Sequence, residues 1–171
     1  MRSLMWFSVL GLVGLLAGCG GTSAPPQEKA SAEGAAYRLT SAPEGAKGVK
    51  AVKDDSKDGE DVVVEGRIGG ETNPWVEGQA AFLVVDKALK PCNEKDDDGC
   101  ETPWDYCCDT DLLPEQKAMV KIVDSKGKTV STDARKLLGV KELQTVVVRG
   151  KAKRDDAGNL TVLADGVFVR N

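Results

Sequence analysis

Two valine runs, each broken by a glycine, constrain this chain more than any other feature. They read Val62-Val63-Val64-Glu65-Gly66-Arg67 and Val146-Val147-Val148-Arg149-Gly150-Lys151. β-Branched side chains are stiff at χ1 and fit a pleated surface better than a helix. In the first run Val62, Val64 and Ile68 alternate with Val63, Glu65 and Arg67, the period of a strand with one face inward. A glycine inside such a strand marks a bulge, a bend or a close backbone approach. Both runs therefore predict strongly bent strands. Further strands are predicted over Gln79 to Asp86, which carries Ala81 to Val85, and over Lys117 to Asp124, with Val120 and Ile122 on one face. Asp124-Ser125-Lys126-Gly127 has the residues of a turn. Thr132 to Leu138 predicts one short helix, capped by Thr132 and stopped by Gly139. Thr145 to Ala152 is a fourth strand, Asp155 to Asn159 a hairpin turn, and Leu160 to Ala164 a fifth strand extending toward Val169. Aromatic residues make up only 5% of the chain, so the core must be mostly aliphatic.

Five strands with a short helix between the third and fourth resemble the OB-fold, the five-stranded Greek-key barrel. The resemblance spans residues 61–171 and is interrupted by one insertion, residues 90–111. It implies a mainly β domain. Many OB-folds bind oligonucleotides or oligosaccharides. Nucleic acid is not expected here. A net charge of −4 and a pI near 5.0 oppose it, and Arg67, Lys151, Lys153 and Arg154 lack the interleaved stacking aromatics of such a groove.

The first residues read as an export signal. Arg2 precedes an almost unbroken apolar run from Leu4 to Leu16, then small residues. The run is shorter than the roughly 20 residues a membrane span needs. Leu16-Ala17-Gly18-Cys19 resembles the lipobox of bacterial lipoproteins. That resemblance implies cleavage after residue 18 and acylation of Cys19, hence a lipid-anchored protein of the cell envelope facing the periplasm or exterior. Gly20 in place of Asp favours the outer membrane by the same likeness. Residues 19–60 carry Pro25, Pro26 and Pro43, many small residues and dense charge, and are expected to form the lipidated cysteine and a disordered tether. The organisation expected is thus a signal over 1–18, a tether over 19–60 and a barrel over 61–171.

The insertion holds the chemistry. Four of the five cysteines lie in it, Cys92, Cys100, Cys107 and Cys108. From 91 to 111 it also holds eight carboxylates against one lysine, more negative charge than the whole chain carries net. In an oxidising compartment, an even number of cysteines in a loop without other means of order predicts two structural disulfides. A bridge between adjacent Cys107 and Cys108 is strained, so Cys92 and Cys100 are each expected to take one of the two. A second reading is a thiolate site for zinc or copper(I), which four sulfurs suit. Redox chemistry at Cys107-Cys108 is disfavoured by Asp105 and Asp109, which hold thiol pKa values up. Glu94, Asp96, Asp98 and Asp105 partly match the spacing of a calcium loop, with Gly99 at the turn, but no helices flank them. The alternative is a solvated acidic turn. Trp104 and Tyr106 are expected to cover the cysteines, or else, with Trp75, to face a ligand such as a sugar. Pro103-Trp104-Asp105-Tyr106-Cys107-Cys108 is similar to a string in bacterial lipoproteins of this layout, a likeness that implies no particular activity.

The chain has no histidine, which excludes Ser-His-Asp and Cys-His catalysis and histidine-bound metal. Paired carboxylates for glycoside hydrolysis are present in number, but on a loop with no pocket to raise one pKa. The expectation is a non-catalytic envelope lipoprotein without cofactor, its barrel in a binding or structural role toward a protein or glycan. The alternative is a metal-binding envelope protein that takes calcium, zinc or copper on its Cys/Asp-rich loop.

Overall fold

The computed structural model describes residues 29–95 and 99–170. The expected export signal, the lipidation site Cys19 and the candidate ligands Asp96 and Asp98 lie outside the described residues. In chain order the regular elements are β1 (Lys47–Gly48), α1 (Val49–Asp55), β2 (Asp61–Ile68), β3 (Ala81–Val85), α2 (Leu113–Gln116), β4 (Lys117–Ile122), α3 (Ala134–Leu138), β5 (Thr145–Arg154) and β6 (Leu160–Val169). Strands β2 to β6 follow the order β2-β3-β4-β6-β5, and β5 returns to β2, so the sheet closes into a five-stranded barrel. Neighbours are antiparallel except β4 and β6, which run parallel. This is the mainly β, OB-like architecture that the strand pattern predicts.

The two glycine-broken runs are partners. Strand β2 pairs with β5 from Asp61↔Lys151 to Arg67↔Thr145 without a break. Gly66 is therefore not a bulge. A Cβ there would stand 3.1 Å from side-chain atoms of both Val49 and Val84, so the glycine makes room for α1 over the sheet. Gly150 is the irregular one. The β5–β6 register shifts between Arg149 and Gly150, and a Cβ on Gly150 would meet the Leu163 carbonyl oxygen at 2.2 Å.

The core is aliphatic, as the composition requires. Val62, Val64, Phe82, Val120, Ile122, Val148 and Val162 meet inside the barrel. Helix α3 adds Ala134, Leu137 and Leu138. Its cap is Asp133 rather than Thr132: the Asp133 carboxylate accepts from the Arg135 backbone N–H at 2.9 Å. Gly139 ends the helix in the left-handed conformation, φ 63°.

The structure differs from the expected tether over residues 29–60. This stretch is part of the folded unit. Val49 and Val52, one helical turn apart in α1, are buried in the barrel core. Tyr37 packs on that core, and residues 37–39 run beside β6, with Val167 N–H bonded to Tyr37 O and Leu39 N–H to Val167 O. The Ser31 N–H bonds to Leu137 O, and Arg38 Nη1 donates to Leu138 O. The charged residues of α1 point outward and mask a short apolar stripe that is enough to dock it. One helix was expected; α1 and α2 are additional.

Two outcomes follow. Val49→Ala should cost about 2 kcal/mol in urea unfolding, from lost methyl burial and a residual cavity; a tether residue would cost nothing. Asp133→Ala should cost about 1 kcal/mol at neutral pH through loss of the cap. The hydrogen bonds from Arg135 outweigh the opposing effect of burial and hold the Asp133 carboxyl below its usual range. Its contribution is therefore complete above the unfolded value and is lost as pH falls through the lower folded one. The stability gap between wild type and Asp133→Ala should close below about pH 4.

Candidate metal centre

Strand β3 ends at Val85, and the chain does not return to the barrel until β4 begins at Lys117. The first anchor of the intervening loop is Asp86. It is buried, and its carboxylate accepts from the backbone N–H groups of Lys50 and Ala88, both at 2.9 Å. Three short 3-10 turns follow, at Cys92–Glu94, Pro103–Asp105 and Cys107–Asp109. Each places one or two of the site's side chains.

The loop lies against the end of β2. Gly70 donates its N–H to the Trp104 carbonyl at 2.7 Å, and Trp104 Nε1 donates to Thr72 O at 3.1 Å. A Cβ on neighbouring Gly69 would stand 2.4 Å from the Trp104 carbonyl oxygen, so a side chain there would push the loop off. Tyr106 is the loop's own core. It is fully buried and forms a second apolar cluster with Val85, Leu89 and Leu113. It adopts the left-handed conformation, φ 58° and ψ 36°, between two 3-10 turns. A tyrosine in that conformation costs about 1–2 kcal/mol, which burial of the ring offsets. The reversal at Tyr106 turns Cys107 and Cys108 back toward Cys92. Two ion pairs hold the rest, Arg67 to Glu94 at 3.1 Å and Lys95 to Asp109.

The four sulfurs converge. All lie within 4.8 Å of one another. Cys92 Sγ stands 3.7 Å from both Cys107 Sγ and Cys108 Sγ. Cys100 Sγ is 3.3 Å from Cys107 Sγ, and Cys107 Sγ is 4.0 Å from Cys108 Sγ. A disulfide holds its sulfurs at about 2.05 Å. None of these sulfur pairs stands at that distance; the four form one knot. Two of the turns carry Cys92, Cys107 and Cys108, and Cys100 joins them from the connecting segment. A zinc ion bound at about 2.3 Å by four thiolates in a tetrahedron sets its sulfurs roughly 3.8 Å apart. The observed separations bracket that edge.

Electrostatics within the knot are uneven. Cys92 is buried, which pushes its thiol up, but the Cys108 backbone N–H and the neighbouring thiols outweigh that and hold it below the ordinary value. Cys107 is helped toward ionisation by Cys100 but opposed by Cys92, Asp105 and Cys108, and ends at about 11. Without a cation, Cys92 is the sulfur whose ionisation its neighbours' hydrogen bonds make easier. A metal would replace those shared protons.

The other candidates separate from this point. Glu94 is committed to Arg67. Asp105 accepts from the Cys107 N–H at 2.9 Å and from Thr102 Oγ1 at 2.8 Å, so it serves as a turn lock. Among the described residues, Glu94 and Asp105 do not assemble as a calcium site. Trp75 is not beside the loop's aromatics facing a ligand. It is buried in the barrel core against Phe82, under Arg135, with Nε1 bonded to Glu142 at 2.6 Å. Tyr106 is buried too, and Trp104 fastens the loop. Gly70, Asp86 and Arg67, which position the site, carried no motif that marked them in the sequence.

Beside the knot lies an open cleft of about 560 Å³, with Glu71, Thr72, Asp105, Cys107 and Lys117 among its walls. Among the described residues no helix is long and apolar enough to cross a membrane. No protein-family model matches the sequence, and no curated protein matches it.

Tyr106→Ala should release the loop and spare the barrel, because the two apolar clusters are separate. Loss of a large buried ring costs about 3–5 kcal/mol. Hydrogen exchange should accelerate over residues 86–116 and stay unchanged in β2, β5 and β6.

Proposed function

We propose that this chain is a metal-binding protein of the bacterial envelope, an OB-like barrel that carries a single four-thiolate site and is tethered by a lipid on Cys19. The observation that supports the metal reading is the convergence of four sulfurs at separations suited to one tetrahedral ion. Four-sulfur tetrahedral coordination favours zinc over calcium, which takes oxygen ligands. Thiolates that share a metal are also masked from oxidation, which reconciles four close cysteines with an oxidising compartment. The lipid anchor rests on Leu16-Ala17-Gly18-Cys19. The barrel's part is to hold the loop, and the reading assigns it no catalysis.

The competing reading is the two-disulfide form, which the 3.3 Å approach of Cys100 to Cys107 favours. Native mass spectrometry of the purified chain separates the two. The expected result is one zinc per chain, released by acid, with all four loop thiols then reactive. A metal-free mass lower by four hydrogens would establish the disulfides and overturn the proposal. Cobalt(II) titration should give the intense sulfur-to-metal absorption of a tetrahedral thiolate site. Cys92→Ser should weaken metal binding by at least about 100-fold, since even outer-shell changes cost 10–100-fold. Cys19→Ser should release the chain from membranes and leave the metal in place.

A further inference from the structure

We infer that the ion held by the four cysteines is exchangeable cargo, handed over through the cleft beside Cys107 to a small zwitterionic thiol. The inference rests on the metal reading above and adds who takes the metal and by which route.

Structural zinc sites are closed, and their binding energy is folding energy. This site is built otherwise. Only Cys92 is buried; Cys100 is half-buried, and Cys107 and Cys108 are exposed. The barrel core contains no residue of the cysteine loop. The loop's own cluster is just Val85, Leu89, Tyr106 and Leu113, and it packs without help from the sulfurs. Neither the barrel nor the loop's anchor therefore depends on an ion.

Of the two exposed cysteines, only Cys107 lines the cleft. A concave volume of about 560 Å³ lies in the range that takes a small molecule. Its walls present both signs of charge. Lys117 is paired with Glu71 at 2.7 Å, and Asp105 stands on the Cys107 side. A ligand of amino-acid or short-peptide size finds a partner there for its ammonium and for its carboxylate. Its sulfur then approaches the metal from the side of Cys107.

The exchange is balanced without a redox partner. The incoming thiol loses its proton to water, and its sulfur forms a bond to the metal. The bond from the metal to Cys107 Sγ breaks, and the freed sulfur takes a proton from water. No electron is transferred. Cys92 leaves last, since it is buried and held by the Cys108 backbone N–H.

The test uses the zinc-loaded full chain, free cysteine as the thiol, and a coloured chelator as the final acceptor. The expected rate of zinc transfer rises in proportion to free cysteine, and the melting temperature stays unchanged when zinc is removed. A folded protein with one exposed reduced cysteine should be a poorer acceptor, because it brings no free ammonium and carboxylate beside its thiol to engage the charged walls. Thr72→Trp, which places a ring over the cleft, should bind one zinc as before and slow cysteine-driven transfer about ten-fold, the effect of a modest added barrier. Transfer at a rate independent of cysteine, a collapse of melting temperature on zinc removal, or faster transfer to the bulky thiol would each overturn the inference. A chain that binds no zinc would instead refute the metal reading itself.

Discussion

Strand β2 is the element on which everything else rests. Its seven-residue ladder to β5 closes the barrel, and its last residues pair with β3. Closure removes the open edges that a lone curved sheet would expose. The same strand then runs directly into Gly69 and Gly70, where the cysteine loop is pinned by the Gly70–Trp104 hydrogen bond. Barrel closure and site placement thus share one piece of backbone. Arg67, near the end of β2, reaches across to Glu94 and couples the loop to the strand a second time.

What was legible in the sequence follows periodicity. The five strands, the hairpin at Asp155–Asn159 and helix α3 were readable because each carries enough alternating or capped residues to outweigh its context. Helix α1 was not. Val49 and Val52 are two apolar residues in a segment of lysines and aspartates, below what a pattern can register, and their burial depends on a gap that Gly66 leaves in another strand. The cap at Asp133 was missed by one residue, because Thr132 and Asp133 are both competent caps. Trp75 was grouped with the loop aromatics by chemical type, whereas its position against Phe82 and Arg135 depends on barrel closure.

The four cysteines show a sharper limit. Sequence spacing placed them in one loop and left bridging or metal binding open. What brings their sulfurs together lies in dihedral angles that spacing does not encode. Tyr106 in a left-handed conformation is uncommon for a bulky residue, and nothing in its neighbours calls for it. Burial of the ring between Val85, Leu89 and Leu113 imposes it, and those partners come from the two ends of the loop. The reversal at Tyr106 is what brings adjacent cysteines, poor partners for each other, toward Cys92 together.

The charge of the loop takes its meaning from that geometry. Cys100 helps the Cys107 thiol toward ionisation, but Cys92, burial, Asp105 and Cys108 outweigh it and hold the thiol up, so this sulfur resists ionisation when no cation is present. The negative field of the eight carboxylates draws cations toward the loop and raises their local concentration. A divalent ion at the centre of the knot would reverse the balance, since four sulfurs would share its charge in place of protons. On the metal proposal the acidic residues of the loop and the thiol cluster would be complementary: one would gather cations without discrimination, and the other would select among them by softness and by the size of the sulfur tetrahedron.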